Sequence, residues 1–441
     1  MIDLGRALGV KSQDGDGSVH AQPERLGLPS WVVTVGVLLV AFALAVSRRP
    51  DALFNAQFWA EDGVWYGDAY AAGPWVTLLW PHAGYLTLVT RLAADVALLV
   101  PLADAPLVLN VLALVLEALP AAFLLSGRCD QIVPHRGVRV LLALLSVGVP
   151  YAVEVHATIT NAFWHLILLA LLVTLARPPA SLAGRAFDAA VIALSGLSGP
   201  FGALLACVIA THWWWTRAKY TAWLFALNAV AVAAQVLTFL GPGWRERTAP
   251  AALGANPITL ARLIAGPVML GAVTGAHGYS RVAHHAWWFD WPVPVAIALA
   301  GVACGVYAVW RGPEPLRQLI LLSALIFATS LAAPLVPPGI PAWTVLTYPG
   351  EGARYVYLPI IAALVTLVWL ATRPAPRLVR AGAVLVLGVA LLYGMPADWR
   401  QPAVADLRFR TQAARFAALP RGQSLTIPIN PRGWSVTLVK R

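Results

Sequence analysis

Long apolar stretches follow one another along this chain with little polar sequence between them, and this feature restricts the fold more than any other. A membrane-spanning helix needs about 20 mostly apolar residues, within a range of roughly 17–25. Candidate spans begin near Trp31, Tyr85, Leu107, Val138, Phe163, Ala189, Phe201, Tyr220, Pro292, Leu319, Tyr355 and Ala381, with a weaker one at 258–274. Hydrophobic residues make up 59% of the chain and charged residues 12%, against about 45–50% and roughly 25% in soluble domains. The sequence therefore excludes an ordinary soluble enzyme and predicts an all-α polytopic membrane protein.

Short basic loops orient the spans, because Lys and Arg accumulate in cytoplasmic loops. The residues that mark these loops are Arg128, Arg136, Arg139, Arg177, Arg185, Arg217, Lys219, Arg311, Arg317, Arg373, Arg377 and Arg380. The segments then predicted outside are 150–161, 198–200, 241–290 and 335–354. This scheme holds if 258–274 does not fully cross and if only one full crossing lies between Tyr85 and Leu125. We therefore expect about 11–13 transmembrane helices, with about eleven full spans preferred.

Three regions follow from this arrangement. Residues 1–30 are polar and Gly-rich and lack the short apolar run of a signal peptide, so they are expected to form a cytoplasmic tail. Residues 31–395 form the transmembrane domain, with a first outer loop at 48–82. Residues 396–441 form a short extramembrane tail, which we place outside because long segments can cross regardless of charge. Its sequence at 425–434 predicts a short strand followed by a turn.

The first outer loop contains the richest polar segment, FNAQFWAEDGVWYGDAY at 54–70. Glu61 and Asp62 lie side by side there among aromatic residues, which favour a segment held at the membrane interface over a plain solvated loop. Three roles remain open for these carboxylates: general base, metal ligand or solvated charge. A partly desolvated carboxylate has the raised pKa that suits a general base.

Two polar pairs lie in the apolar segments that follow. Arg91 and Asp95 are four residues apart and can pair on one helix face. An ionisable pair in the bilayer either serves a function or holds helices together. Asn110 and Glu117 are seven residues apart, share a helix face and predict hydrogen bonds between helices.

A second outer segment, PYAVEVHATITNAFWHL at 150–166, gathers Glu154, His156, Asn161, Trp164 and His165. One interpretation is a polar helix break whose groups satisfy one another. The other is a substrate site, in which Glu154 or His156 orients a hydroxyl group and Trp164 stacks on the substrate. A metal site made of His82, His156 and Glu154 is a weaker alternative, because no local ligand spacing supports it.

Arg354 and Tyr355 open a predicted helix at the outer surface, within LTYPGEGARYVYLPIIAALV at 346–365. Free N–H groups and the helix dipole attract anions to a helix N-terminus. Arginine adds a planar fork that binds phosphate. The alternative is an interfacial arginine whose charged end simply reaches water.

The order of these motifs resembles that of bacterial polytopic glycosyltransferases of the GT-C type. The motifs are FWAEDG at 58–63, AGYL followed by Arg91, Glu154 followed by TNAFWH, LSGPFG at 197–202, ARY at 353–355, and IPINPRGW in the tail. The resemblance implies an inverting transferase that moves a hexose or pentose from a polyprenyl-phosphate donor to a glycan, glycolipid or protein acceptor. It also implies that an acidic residue of the first outer loop is the base, here Glu61 or Asp62, with Asp62 preferred. The residues that we expect to bind substrate are Tyr85, Arg91, Glu154, His156, Asn161, Trp164, His165, Arg354 and Tyr355.

Location and partners follow from the same resemblance and from composition. A sequence rich in Ala, Arg, Pro and Gly suggests a bacterium, so we expect the inner (plasma) membrane, an active site facing the periplasm or exterior, and a role in cell-envelope polysaccharide biosynthesis. The charge of +11 is explained by basic cytoplasmic loops or an anionic lipid substrate, so membrane lipids and not nucleic acid are the expected partners. No cofactor is expected if arginine neutralises the leaving phosphate. A divalent metal at Glu61 and Asp62 is the alternative.

The competing function is a polytopic transporter or lipid-linked-glycan flippase, which also has many spans and charged groups in the membrane. Such a protein is expected to place its polar groups near the midplane, often with repeat symmetry. The polar motifs here gather at one face and no internal repeat is visible. This pattern favours an interfacial enzyme over a transporter, with a structural or assembly subunit as a third hypothesis.

Overall fold

The computed structural model describes residues 30–240, 252–336, 339–373 and 376–441. The predicted tail at 1–30 lies, except for its last residue, outside these ranges. The helices are α1 Ser30–Arg48, α2 Asp51–Phe54, α3 Asp62–Ala72, α4 Leu88–Ala97, α5 Ala105–Leu124, α6 Arg136–Val147, α7 Phe163–Leu175, α8 Leu182–Gly196, α9 Gly202–Thr216, α10 Lys219–Phe239, α11 Pro257–Leu263, α12 Gly271–Ala283, α13 Ala286–Phe289, α14 Pro292–Arg311, α15 Glu314–Ala332, α16 Ala342–Leu346, α17 Ala353–Thr372, α18 Arg377–Val389, α19 Met395–Ala397 and α20 Phe409–Ala417. The strands are β1 Ser424–Ile429 and β2 Trp434–Val439, and π-helical turns at Ile264–Leu270 and Ala390–Gly394 join α11 to α12 and α18 to α19.

The predicted all-α polytopic fold is confirmed. Within the described ranges, seven helices are long and apolar enough to cross a membrane. They are Leu102–Leu124, Lys219–Phe239, Pro257–Ala283, Pro292–Arg311, Glu314–Ala332, Ala353–Thr372 and Arg377–Ala397. Val32–Arg48 and Phe163–Leu175 are shorter apolar helices. The one sheet in this part of the chain has two strands.

Most of the segments predicted outside meet at one end of the helices, which we call the loop face. It comprises residues 48–87, 150–162, 198–200, 335–336, 339–354 and 396–441. Hydrogen bonds join these segments pairwise: Asp62 with Thr160, Glu154 with Arg354, Leu86 with Gly199, and Ala60 with Asn430. The loop face therefore gathers in space the polar motifs that are scattered along the sequence.

The predicted cytoplasmic loops meet at the opposite face. Arg128 donates from both terminal nitrogens to Asp188, at 2.8 and 2.6 Å, and from Nε to the Arg177 carbonyl at 2.8 Å. Arg139 pairs with Asp130 at 2.6 Å. The chain alternates between the two faces through α1, α5 to α10, α14, α15, α17 and α18. Six of these eleven helices, counted among the described residues, have the length and composition of a full span. The other five (α1 and α6 to α9) do not meet that length and composition, so fewer full-length spans are present in the described ranges than the eleven to thirteen that were predicted.

Helix α4 does not contribute a crossing. It has 10 residues, and the hydrogen bonds at its two ends show where it lies. At its start the Leu88 N–H donates to the Leu197 carbonyl at 3.0 Å, and near its end Asp95 accepts the Trp75 N–H at 3.1 Å. Both ends therefore lie at the loop face. The single full crossing in this region is α5, as the charge pattern predicts.

The apolar helix that runs from α11 to α12 is long enough to cross but starts and ends at the loop face. Just before its start, the Ala342 N–H donates to the Ala252 carbonyl at 2.9 Å. In α12, Gly275 has φ of +71° and ψ of −176° and interrupts the helix, and the next residue, Ala276, donates its N–H to Asp398 at 2.6 Å. A Cβ on Gly275 would lie 2.5 Å from Asp398 Cγ, so glycine is required there. The segment returns to the face that it left, as predicted.

The tail folds into α20 and an antiparallel hairpin of β1 and β2, in which Thr426 pairs with Thr437. The predicted strand and turn at 425–434 are confirmed, and β2 is an additional strand. Buried and exposed residues alternate along both strands, which is the period of a half-buried sheet. The apolar face of the hairpin packs on α3 through Ile429 and Val436.

The hairpin also fixes the first outer loop. The Ala60 N–H donates to the Asn430 carbonyl at 2.5 Å, and the Asn430 N–H donates to the Phe58 carbonyl at 3.1 Å. A Cβ on Gly63 would lie 2.6 Å from Ile429 Cδ1, so a side chain there would push the hairpin away. The tail and the first outer loop therefore share one face of the molecule.

Candidate active site at the loop face

Asp62 is the first residue of α3 and is only 1% exposed. The Trp59 N–H donates to Asp62 Oδ2 at 3.0 Å, and the Asp62 N–H donates to the Trp59 carbonyl at 2.9 Å. These two bonds close a turn in which Ala60 has φ of +48°. A negative side chain in the first helical turn is also favoured by the helix dipole. The local sequence therefore holds the Asp62 carboxylate in one orientation.

The other carboxylate oxygen receives a hydrogen bond from the second outer segment. Thr160 Oγ1 donates to Asp62 Oδ1 at 3.0 Å, and Trp65 Nε1 donates to Thr160 Oγ1 at 3.1 Å. An indole N–H can only donate, so the Thr160 hydroxyl accepts from Trp65 and turns its own proton toward Asp62. Trp65, Thr160 and Asp62 thus form a chain of hydrogen bonds with one direction.

The surroundings of Asp62 change its acidity. Burial raises the pKa of Asp62 to about 7, because the ionised carboxylate loses its solvation. Hydrogen bonds from Trp59 and Thr160 oppose this shift, and the negative charge of Glu61 adds to it. Near neutral pH the group therefore exists in both its protonated and its ionised form, as a proton acceptor requires.

Glu61 differs from its neighbour in exposure. The residue is partly open to solvent, whereas Asp62 is buried. The charge of Glu61 acts on Asp62 and on Arg354. The two predicted catalytic carboxylates are therefore placed for different roles, one inside the protein and one at its surface.

Arg91 pairs with a different aspartate from the one predicted. Its Nη1 lies 2.7 Å from Asp68 Oδ2 on α3, and its guanidinium carbon lies 4.7 Å from the centre of the Trp65 ring. Asp95 instead accepts the backbone N–H of Trp75. The predicted Arg91–Asp95 pair is therefore wrong, because the neighbouring helix supplies one partner and the loop backbone supplies the other. Arg91 is buried and holds Trp65 in place.

Four of the predicted binding residues come together around one ion pair. Arg354 Nη1 lies 3.0 Å from Glu154 Oε2, and the Arg354 N–H donates to the same oxygen at 3.0 Å. Asn161 Nδ2 donates to the Glu154 carbonyl at 2.8 Å, and the Arg354 guanidinium lies 4.6 Å from the Tyr355 ring centre. The Glu154 and Arg354 side chains are 23% and 25% exposed. Arg354 therefore has an open side, but it already holds one carboxylate at the position predicted for a phosphate.

The two histidines of the second outer segment have internal partners. His156 Nδ1 lies 2.8 Å from Glu117 Oε1, and burial lowers the pKa of His156 to about 4, so the neutral ring donates to Glu117 at pH 7. His165 contacts the Tyr357 hydroxyl at 2.8 Å and the Val155 carbonyl at 2.9 Å. Both side chains are buried. The two histidines therefore hydrogen-bond within the protein, as expected for a polar helix break. They do not take the predicted position facing a substrate.

Aromatic residues of the predicted site are also packed inside. Trp164 is 2% exposed, and its ring centre lies 4.5 Å from that of Phe201 and 6.2 Å from that of Tyr355. Its rings contact protein and not solvent, in contrast to the predicted stacking on a substrate. Tyr85 is partly buried and closes a tight turn with His82, whose N–H donates to the Tyr85 carbonyl at 2.9 Å.

The predicted hydrogen bonds between helices are present. Asn110 Nδ2 on α5 donates to the Ala52 carbonyl of α2 at 2.8 Å. Glu117, seven residues on, accepts from His156 and lies 3.9 Å from Arg48 Nη1 of α1. The polar stripe of α5 therefore joins this helix to its neighbours.

Thr160 is a residue of the candidate site that sequence analysis did not identify. It lies inside the second outer segment, but the contact that distinguishes it is with Asp62, 98 positions away. The available signal was the cluster of hydrogen-bonding residues around TITNAFWH. That signal identifies the segment and not the partner of each side chain.

No group of three His, Cys, Asp or Glu side chains in the described ranges is placed to hold a metal ion. The alternative metal site of His82, His156 and Glu154 has no common centre, because His156 faces Glu117 and Glu154 faces Arg354.

No protein-family model matches the chain, and no curated protein matches it. Among solved structures the chain is similar to the oligosaccharyltransferase of Archaeoglobus fulgidus, crystallised with a tethered acceptor peptide that contains the NVT sequon. The sequence identity is 14% and the TM-score is 0.40, over 88% of this chain and 57% of that one. The chain thus spans a little more than half the length of that protein.

Proposed function

We propose that this protein is an inverting glycosyltransferase that moves a sugar from a polyprenyl-phosphate donor to an acceptor hydroxyl at the loop face. Asp62 is the proton acceptor. The observation that carries the proposal is a buried carboxyl group with neutral hydrogen-bond donors and a pKa of about 7, in the first loop of a polytopic membrane protein. The order of sequence motifs that resembles GT-C glycosyltransferases supports the same reaction.

The chemistry follows from the placement of Asp62. The acceptor oxygen attacks the anomeric carbon of the donor while its proton is transferred toward Asp62. The bond between that carbon and the phosphate oxygen breaks, and the phosphate keeps the electron pair. Attack opposite the leaving phosphate inverts the anomeric configuration. A positioned base with a pKa near the working pH contributes about 10²- to 10⁴-fold to such a rate.

Arg354 is the residue that we assign to the leaving phosphate. Its guanidinium is partly exposed at the loop face and is bound to Glu154 through Nη1. Arginine forms paired, charge-assisted hydrogen bonds with phosphate, and a fixed positive charge stabilises the negative charge that develops in the transition state. The donor lipid would approach this residue from the surrounding membrane. Glu154 then holds the guanidinium in position before the donor arrives.

The test is a turnover assay on purified protein in lipid nanodiscs. A panel of polyprenyl-phosphate hexoses and pentoses is supplied with glycan, lipid and peptide acceptors, with and without EDTA, and release of polyprenyl phosphate is measured. We expect release by the wild type and a loss of about 100-fold or more in Asp62→Asn. Asp406→Asn changes an exposed aspartate of the tail and is the matched control with full activity.

Two results would contradict this proposal. Full activity in Asp62→Asn together with its loss in Glu61→Gln would move the base to Glu61. Movement of a lipid-linked glycan across the bilayer without any release of polyprenyl phosphate would replace the transferase with the flippase hypothesis.

A further inference from the structure

The proposed base has no direct route to a substrate. Asp62 is 1% exposed, its Oδ2 accepts the Trp59 N–H and its Oδ1 accepts the Thr160 hydroxyl. An acceptor hydroxyl group that approached either oxygen would have to displace one of these donors. Thr160, in contrast, is partly exposed. The side chain that connects Asp62 with the open side of the loop face is therefore Thr160.

The Thr160 hydroxyl has the hydrogen-bonding capacity for this connection. A hydroxyl group carries one proton and two lone pairs. The Thr160 proton is directed to Asp62 Oδ1, and one lone pair accepts the Trp65 Nε1 proton. The second lone pair receives no hydrogen bond from the described residues. That lone pair is available to the proton of an incoming hydroxyl group.

We infer that Thr160 relays the proton of the acceptor hydroxyl to Asp62, and this inference rests on the proposed function. As the acceptor oxygen bonds to the anomeric carbon, its proton passes to Thr160 Oγ1. The original proton of Thr160 passes along the existing hydrogen bond to Asp62 Oδ1. The bond from the anomeric carbon to the phosphate oxygen breaks and the phosphate keeps the electron pair. Thr160 ends unchanged, and Asp62 ends neutral.

Trp65 is the positioning residue of this relay. Its indole N–H occupies one lone pair of Thr160, so the hydroxyl cannot rotate its proton away from Asp62 without losing a bond. The ring itself is fixed by the Arg91 guanidinium at 4.7 Å and by the edge contact with His82, whose ring centre is 4.6 Å away. Thr160 and Asp62 are therefore held in position by residues of α3, α4 and the first outer loop.

The charged groups around the relay are few. Glu61, at the start of α3, acts on Asp62 and raises its pKa. The neighbouring charges are already paired: Arg91 with Asp68, and Arg354 with Glu154. Changes in the titration of Asp62 after substitution of Thr160 can therefore be assigned to the lost hydrogen bond.

The first part of the test needs no turnover. Dicyclohexylcarbodiimide reacts with protonated carboxyl groups, so labelling of Asp62 measured by peptide mass spectrometry against pH reports its titration. We expect a midpoint near pH 7 in the wild type. Thr160→Val removes a donor to the ionised form and raises the midpoint by about 0.5–1 pH unit, and Thr160→Ser restores it. An unchanged midpoint in Thr160→Val would show that the bond to Asp62 is absent and would overturn the relay.

The second part separates a relay from simple positioning. At pH 9 Asp62 is ionised in both proteins, so a residue that only tunes its pKa would no longer matter. The relay predicts that Thr160→Val still loses about 100-fold in kcat at pH 9, while Thr160→Ser keeps most of it. Thr158→Val, in the same segment and buried, is the matched control and keeps full turnover.

The outcomes distinguish this inference from the function on which it rests. Wild-type turnover with an equally active Thr160→Val at pH 9 would overturn the relay alone. Absence of wild-type turnover with every donor would overturn the proposed function and the relay with it. In that case the labelling midpoints would still show whether Thr160 bonds to Asp62.

Discussion

Two aspartates are buried at opposite faces of the molecule, and the protein surrounds them differently. Asp188 on α8 is 0% exposed and binds the Arg128 guanidinium at 2.8 and 2.6 Å and the Tyr220 hydroxyl at 2.7 Å. Asp62 is 1% exposed, and its hydrogen bonds come from neutral donors, among them Thr160. A buried carboxylate keeps its charge when a cation is supplied, and binds a proton more readily when none is supplied. The same residue type therefore ties helices together at one face and has a raised pKa at the other.

The largest effect is expected from breaking the charged pair. Asp188→Asn leaves Arg128 without its partner, and removal of one member of a buried ion pair costs about 3–5 kcal/mol in the free energy of unfolding. Asp130→Asn removes the partner of Arg139, but that aspartate side chain is 42% exposed, so the cost is about 1 kcal/mol or less. Chemical denaturation in bicelles measures both. Equal losses would show that the two ion pairs of this face do not differ in burial.

The second prediction concerns pH. With a pKa of about 7 for Asp62, turnover rises with pH and reaches its plateau above about pH 8, and at pH 5 it falls about 100-fold below that plateau. Stability changes in the opposite direction. The carboxyl binds its proton more tightly when folded than at its ordinary pKa of 3.8, so its contribution is complete below about pH 4 and is lost as pH rises to about 7. In Asp62→Asn, the unfolding temperature should therefore depend less on pH between about pH 4 and pH 7 than it does in the wild type.

A smaller change should follow from removing the neighbouring charge. Glu61→Gln eliminates a negative charge that raises the pKa of Asp62. The midpoint of the pH–turnover profile should therefore move down, by less than about one unit, because Glu61 is partly open to solvent. A midpoint that stays in place would show that burial alone sets the acidity of Asp62. Asp406→Asn again serves as the control.

The smallest effect is expected at Trp65. Trp65→Phe removes the donor to Thr160 while it keeps an aromatic ring beside Arg91, and one hydrogen bond is worth about 0.5–1.5 kcal/mol. We expect kcat to fall about 2- to 10-fold with KM unchanged. Trp164→Phe is the matched control, because the Trp164 indole nitrogen is buried without a partner in the described residues. A loss of equal size in both variants would assign the effect to packing.

The fold was predictable because the signals that indicate it, the length of apolar segments and the charge of the loops, are read directly along the sequence. Apolar length predicted the polytopic helical fold, and the basic loops required that the helix from α11 to α12 return to its starting face. The number of full-length spans was predicted less well, because helices such as α6 and α8 have only 12 and 15 residues. The same basic loops predicted only one full crossing between Tyr85 and Leu125, which agrees with an α4 that does not cross. These signals do not predict where a helix is interrupted within an apolar segment. The interruption at Gly275 depends on Asp398, which approaches it from the tail.

The candidate site was predictable only in part. Glu61 and Asp62 were identified because two adjacent carboxylates among aromatic residues are a local pattern. Partners across the fold are not local. The contact between Asp62 and Thr160 spans 98 positions, and the i, i+4 rule assigned Arg91 to Asp95 although α3 brings Asp68 closer. The pairing of His156 likewise depends on Glu117, which lies on α5.

The hydrogen bond from the Ala60 N–H to the Asn430 carbonyl bears on when the loop face is completed during synthesis of the protein. A ribosome adds about 5–20 residues per second, so roughly 20–75 s separate the translation of these two residues. During that interval the nascent chain has inserted its first helices but lacks the strand that closes the turn before Glu61. The earliest loop to leave the membrane is thus among the last parts to mature. The hydrogen-bonded arrangement before Asp62 is therefore complete only when translation is nearly finished.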